Sequence, residues 1–149
     1  MAKEIERRFL VRGEFPLDIG RPKLIKQGYI FAGKDKQLRI RLIDNTAFLC
    51  LKFTEDVVRD EFEYEIPLVD GLAIYEKCEA KLEKIRNSMN GKTSHLDVDT
   101  YPNGWVIAEV EFQSKEDSDN FVPVSWFGEE ITGQFQYSNI ALARRNTKF

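Results

Sequence analysis

Charged residues spaced two apart recur along this chain, set against apolar residues of the opposite parity. Glu4, Glu6 and Arg8 oppose Ile5, Phe9 and Val11; Arg39 and Arg41 oppose Leu38, Ile40 and Leu42; Lys52 opposes Leu49, Leu51 and Phe53. Arg59, Glu61, Glu63 and Glu65 oppose Phe62, Tyr64 and Ile66, while Asp97 and Asp99, then Glu109 and Glu111, alternate with Leu96, Val98, Ala108, Val110 and Phe112. In an extended strand successive side chains point to opposite faces, so each segment has one charged and one apolar face. Any one of these strands reads as a solvated sheet face with charges paired across strands. The set reads differently, because a solvent face mixes charges with Ser, Thr, Asn and Gln, whereas here acids and bases cluster. Carboxylates are the hard oxygen donors that Mg²⁺ and Mn²⁺ prefer, and Arg and Lys clamp phosphoryl oxygens. A lumen holding both signs suits a polyphosphate delivered with divalent metal ions.

Period-two patterning predicts strands over residues 3–11, 23–31, 37–43, 46–53, 59–67, 84–89, 93–101 and 105–112, with turn residues such as Gly13, Gly20, Gly33 and Asp44-Asn45 between them. Leu68, Leu72, Tyr75, Cys78 and Leu82 recur at helical spacing behind Asp70, which predicts a helix over 70–83 capped by that residue. Ser114 and Asp117 form a capping box for a second short helix, and 137–145 is helical in pattern. A charged face turned inward has two solutions, a membrane barrel or a barrel whose apolar exterior is covered by helices. The strands are mostly shorter than membrane spans, no apolar leader is visible, and an amphipathic helix is available, so the second is expected.

The 149 residues fit one domain, 1–149, with 42% apolar residues to build its core. A net charge of −3 gives no global attraction to nucleic acid or anionic membrane, so neither is an expected partner. Cys50 and Cys78 lie far apart and are expected to be reduced thiols in a cytoplasmic protein. A homodimer is compatible with all of this.

The ordered series of motifs resembles one family. Glu4-x-Glu6-x-Arg8 is similar to the Glu-x-Glu-x-Lys signature of the CYTH superfamily, the triphosphate tunnel metalloenzymes, with Arg8 in place of the lysine. Gln27-Gly28-Tyr29, Arg39-x-Arg41, Lys52, Arg59-x-Glu61-x-Glu63, Lys84-x-Arg86, Asp97-x-Asp99 and Glu109-x-Glu111 follow in the order of the short bacterial members. Pro123-x-x-Trp126-x-Gly128-x-Glu130-x-Thr132 and Tyr137-x-Asn139 resemble their C-terminal block, whereas Gln134, Gln136 and Asn87 depart from it.

The resemblance implies an α+β fold: a closed eight-stranded antiparallel β-barrel, the triphosphate tunnel, with helices packed outside. It implies metal-dependent hydrolysis of a small-molecule triphosphate with Mg²⁺ or Mn²⁺, the substrate being tripolyphosphate or a nucleoside or thiamine triphosphate. Glu4, Glu6, Glu61, Glu63, Asp97, Asp99, Glu109 and Glu111 are then the metal candidates. Arg8, Arg39, Arg41, Lys52, Arg59, Lys84 and Arg86 are the phosphate clamp, and Glu4, Glu6, Lys52, Glu109 and Glu111 the catalytic set. The alternatives are cyclisation of ATP by class IV cyclase chemistry and a noncatalytic polyphosphate or nucleotide sensor. Lys84 and Arg86 also read as charges at a helix end, His95 as a polar turn residue, and Cys50, Cys78, Trp105 and Trp126 as packing residues.

Overall fold

Asp44 and Asn45 both adopt left-handed backbone, φ 49° and 59°, the geometry of the two-residue hairpin turn that matches strand twist. They place Ile43 opposite Thr46 and so set the register of the strands on either side. The computed structural model describes residues 2–16, 18–55 and 58–149. Its strands are β1 (Ala2–Val11), β2 (Lys23–Ala32), β3 (Lys36–Ile43), β4 (Thr46–Glu55), β5 (Val58–Ile66), β6 (Ala80–Asn90), β7 (Ser94–Thr100), β8 (Val106–Phe112) and β9 (Phe127–Glu130). Helix α1 (Leu68–Lys77) joins β5 to β6, α2 (Lys115–Asp119) follows β8, and a 3-10 turn at Phe135–Tyr137 leads into α3 (Asn139–Arg144).

The sheet has nine strands in the order β5-β4-β3-β2-β6-β7-β8-β1-β9, with β1 also pairing β5. This corrects the expected closed eight-stranded barrel. Eight strands do form a ring of pairings, but the β1–β5 seam holds only from Ala2↔Glu61 to Ile5↔Val58. Farther along β1, Phe9 and Val11 pair with β9 instead, and β5 beyond Glu61 runs past the described start of β1. One edge of β1 is thus shared between two partners, and the ring is zipped at one place rather than closed along its length.

The helices also differ from expectation. Helix α1 starts at Leu68 behind Pro67, not behind Asp70, and the chain turns extended at Cys78. Leu82 therefore belongs to β6, where Ala80, Leu82, Lys84 and Arg86 share a face at period two. Apolar residues satisfied both periods in this segment, and sheet pairing decided it. The Ser114 cap forms as the sequence indicates, its hydroxyl accepting from Asp117 N.

Outside the ring, α1 packs Tyr75, with Cys78 just beyond it, against Ile40, Leu42 and Ala47, while Phe121, Trp126 and Phe127 cover Phe9, Val110 and Phe112. Helix α3 is not an outer helix: Ile140, Leu142 and Ala143 pack on Tyr29, Leu82 and Ile107, whose registers put them on the inward face, and on Tyr101 just beyond β7. The C-terminal helix fills one end of the lumen. No helix among the described residues is long and apolar enough to cross a membrane.

Gly71 of α1 lies so close to β4 that an added methyl would collide with the Ala47 Cβ and press on Leu42. Neither contact is a flexible chain end. Gly71→Ala is expected to destabilise by about 1–2 kcal/mol, the cost of overpacking exceeding the gain in helix propensity. A urea melt checks this, and an unchanged or raised midpoint would show that α1 can ride outward freely.

Candidate active site

Register carries the charged face around the ring, because residues directly opposite one another on paired strands share a face. Gln27 opposes Arg41, Arg39 opposes Cys50, Lys52 opposes Glu61, and Glu4 opposes Arg59. On the other side Glu6 opposes Glu111, Arg8 and Asp97 both oppose Glu109, and Arg86 opposes Asp99. All the charged side chains singled out by their spacing therefore face one lumen. Every one of them except Asp99 and the exposed Glu65 lines a single cavity of about 1400 Å³. Asp99 is fully buried behind Lys84 and Arg86.

One wall of the cavity is charge-compensated. Arg86 donates to both oxygens of Asp99 at 2.7 and 2.8 Å, to Glu109 at 3.1 Å, and pairs with Asp97 at 3.2 Å. Lys84 Nζ reaches Asp99 Oδ2 at 2.8 Å and Asn139 Oδ1 at 3.4 Å. Burial pushes the Lys84 ammonium down to about 8. Burial alone would raise Glu109, but Lys84, Arg8 and Arg86 together hold it well below the usual carboxylate range. Asp99 is likewise lowered against the effect of burial by Arg86 and Lys84. Lys84 and Arg86 are thus inward-facing mid-strand residues of β6, not charges complementing a helix end.

The adjoining wall is acidic and undercompensated. Glu6 and Glu111 face each other across β1 and β8, where like charges destabilise. Burial, with Glu109 and Glu4 nearby, raises Glu6 to about 7. Burial and the charges of Glu4 and Glu6 raise Glu111 as well. The cations within reach are Arg59, 3.2 Å from Glu6, and Lys52, 3.4 Å from Glu4. Among the described residues, the one set of three potential metal ligands with all ligand atoms within 4.8 Å of one another is Cys50, Glu61 and Glu63, a cluster capable of coordinating a metal ion.

Between the walls lie buried donors without acceptors. Among the described residues, Nη2 of Arg8, Nε of Arg39 and Nε of Arg41 have no hydrogen-bond partner. Such groups carry a desolvation cost that a phosphoryl oxygen would relieve. Arg8 uses its fork in two directions, Nη1 donating to the Tyr137 carbonyl at 2.8 Å and Nε lying 3.3 Å from Glu109. A lysine has no second arm for that carbonyl.

Some side chains at the cavity were not singled out for chemistry by the sequence pattern. His95 is a strand residue of β7 rather than a turn residue, lining the cavity with Nε2 2.8 Å from Asp97. Its parity with Asp97 was the available signal. Cys50 is fully buried on the lumen face, its Sγ 3.5 Å from Glu63, and shares the parity of Lys52. Asn139 accepts from both Lys84 and the Tyr101 hydroxyl, at 3.4 and 2.8 Å, a contact made by folding α3 into the lumen. No local periodicity announces it.

Known proteins resemble this one over nearly the whole chain. An inorganic triphosphatase of Acetivibrio thermocellus is 35% identical over 154 residues, covering 99% of this chain and 97% of that protein. An inorganic triphosphatase of Nitrosomonas europaea is 34% identical over 146 residues, covering 94% and 96%. The crystal structure of an inorganic triphosphatase superposes with a TM-score of 0.68 at 31% identity, covering 97% of this chain and 96% of the other. The CYTH domain model matches residues 2–145, the span that contains every strand of the charged ring, and the chain belongs to the CYTH family.

Proposed function

We propose that this protein is a metal-dependent triphosphatase acting on inorganic tripolyphosphate. The observation that carries the reading is the division of one lumen into an undercompensated acidic wall and a set of buried guanidinium donors lacking acceptors. A hard divalent cation fits the first and a polyphosphate the second. We assign Glu4 and Glu6, with Glu61 alongside, to holding the ion, with Glu111 beside it for the attacking water. Mg²⁺ or Mn²⁺ there would supply Lewis acidity toward phosphoryl oxygens and water.

The chain's own residues perform the rest. Arg8, Arg39, Arg41 and Lys52 bind the phosphoryl oxygens and hold the anhydride in line for attack by water on the terminal phosphorus. The P–O anhydride bond breaks, and the clamp neutralises the charge gathering on the departing pyrophosphate. The proton of the attacking water goes to Glu111 rather than Glu109. A carboxylate held far below its ordinary range by three cations is a weak base, and one raised by neighbouring acids is a better one. We assign Asp97 and Asp99 to fixing Arg86 and Lys84 rather than to the metal.

A panel of tripolyphosphate, ATP, thiamine triphosphate and pyrophosphate with Mg²⁺ or Mn²⁺ tests this, reading phosphate and cyclic AMP. Tripolyphosphate is expected to be turned over fastest, since the lining addresses phosphoryl oxygens. Cyclic AMP as the main product from ATP would establish the cyclase reading, and tight binding without turnover the sensor reading. Lys52→Met is expected to cut turnover about tenfold or more by removing a charge-assisted contact in a water-poor tunnel. The exposed Lys148→Ala serves as the neutral control, and equal activities would remove Lys52 from the site.

A further inference from the structure

Cys50 carries a thiol that the hydrolytic mechanism does not use. It is fully buried on the lumen face of β4, directly opposite Glu63 in β5 and Arg39 in β3. Its Sγ lies 3.5 Å from Glu63 Oε2, and Glu61 completes a set whose ligand atoms all fall within 4.8 Å of one another. Tetrahedral zinc with bonds of about 2.0–2.3 Å to oxygen and sulfur requires neighbouring ligands about 3.5 Å apart, the separation that Cys50 and Glu63 already have. Arg41 is bonded to Glu63 Oε1, which leaves Oε2 turned to the thiol. Such an outer partner is what orients a ligating carboxylate. A second feature points to the fourth position. Arg39 is 6% exposed, lines the same cavity, and its Nε has no acceptor, so an anion completing the tetrahedron has a buried cation beside it.

We propose that Cys50, Glu61 and Glu63 form a site for a thiophilic divalent cation of the zinc and cadmium class, whose occupation inhibits the enzyme. Thiolate selects such ions, whereas Mg²⁺ takes oxygen donors alone. Binding replaces the thiol proton with the metal and releases that proton to solvent. Inhibition rests on the hydrolytic reading above. Glu61 faces Lys52 across β4 and β5, and Lys52 reaches Glu4 at 3.4 Å, so drawing Glu61 toward sulfur removes a carboxylate from beside the hard-cation wall.

The test titrates the protein with Cd²⁺ alone and follows the ultraviolet thiolate-to-cadmium absorption. Wild type and Cys78→Ser are expected to develop the band at one equivalent. Cys78 has its Sγ turned to the Ile74 carbonyl of α1 and, among the described residues, has no carboxylate set beside it. Cys50→Ser is expected to lose the band, and Glu63→Gln, which keeps the thiol, to weaken Cd²⁺ binding about tenfold or more. With Mg²⁺ and tripolyphosphate, Cys50→Ser is expected to keep its basal rate and to need at least about tenfold more Cd²⁺ for half inhibition. A band that survives Cys50→Ser or disappears in Cys78→Ser overturns the site. Equal Cd²⁺ sensitivity of wild type and Cys50→Ser overturns the inhibition. If no triphosphate is hydrolysed at all, the hydrolytic reading fails by itself, and the absorption band still decides the site.

Discussion

Glu6→Gln and Glu111→Gln are expected to reduce metal-dependent turnover by roughly a hundredfold or more, while leaving the metal-free protein at least as stable as wild type. The two carboxylates face each other, and both are raised by burial and by neighbouring acids. A shift of Glu6 from 4.5 to about 7 corresponds to roughly 3 kcal/mol of native-state penalty once the group is ionised. The folded state binds the extra proton, so this part of the stability is present in full below about pH 4.5 and has been lost when pH passes about 7. Glutamine carries no such charge. In buffer containing chelator, Glu6→Gln should therefore match wild type near pH 4 and melt higher than it at pH 8. Mg²⁺ with a nonhydrolysable triphosphate should raise the wild-type melting temperature more than that of either variant, since only ligand bound to the native state stabilises it. If both variants melted below wild type at pH 8, and ligand shifted all three equally, these glutamates would be ion-pair partners within the fold.

The charged lumen was legible because alternation is a local property. Once Glu4, Glu6 and Arg8 share a face, and Arg39 and Arg41 share another, pairing can only bring the faces together or turn them all outward. Departures arose where the deciding contact was remote. Leu82 satisfied a helical repeat with Cys78 and a strand repeat with Lys84, and its pairing with Gln27 settled the matter. Phe127–Glu130 is too short to show a period and becomes a strand only by lying along β1. The inward position of α3 depends on Tyr29, Leu82 and Ile107 from three strands and on Tyr101 just beyond β7, leaving an apolar floor that Ile140 and Leu142 cover. Closure of the ring was equally remote, since the same edge of β1 is offered to β5 and to β9.

Asp99→Asn should behave in the opposite way to the glutamine variants, although it also neutralises a lumen-facing acid. Asp99 has no solvent exposure, and its oxygens accept from Arg86 at 2.7 and 2.8 Å and from Lys84 at 2.8 Å. An amide in its place keeps one acceptor but turns an NH₂ group toward a cation, leaving Arg86 with Glu109 and Asp97 and Lys84 with the Asn139 amide oxygen. Removing one member of a buried ion cluster typically costs about 3–5 kcal/mol, because the others stay desolvated without compensation. Loss of that order at pH 7, read as a lower denaturation midpoint, is the expected result. Asp99 is held below its ordinary range by those cations, so its contribution is present above about pH 3.8 and is lost as pH falls through the lowered value. Wild type and Asp99→Asn should therefore converge in acid, whereas wild type and Glu6→Gln converge in acid but diverge in the other sense as pH rises. The lumen holds two kinds of carboxylate, one that the fold needs charged and one whose charge the fold only tolerates, and the pH dependence of two single-atom-scale substitutions separates them. An Asp99→Asn protein as stable as wild type at pH 7 would mean that Arg86 and Lys84 are satisfied without it, and the compensated wall would have to be redrawn around Glu109.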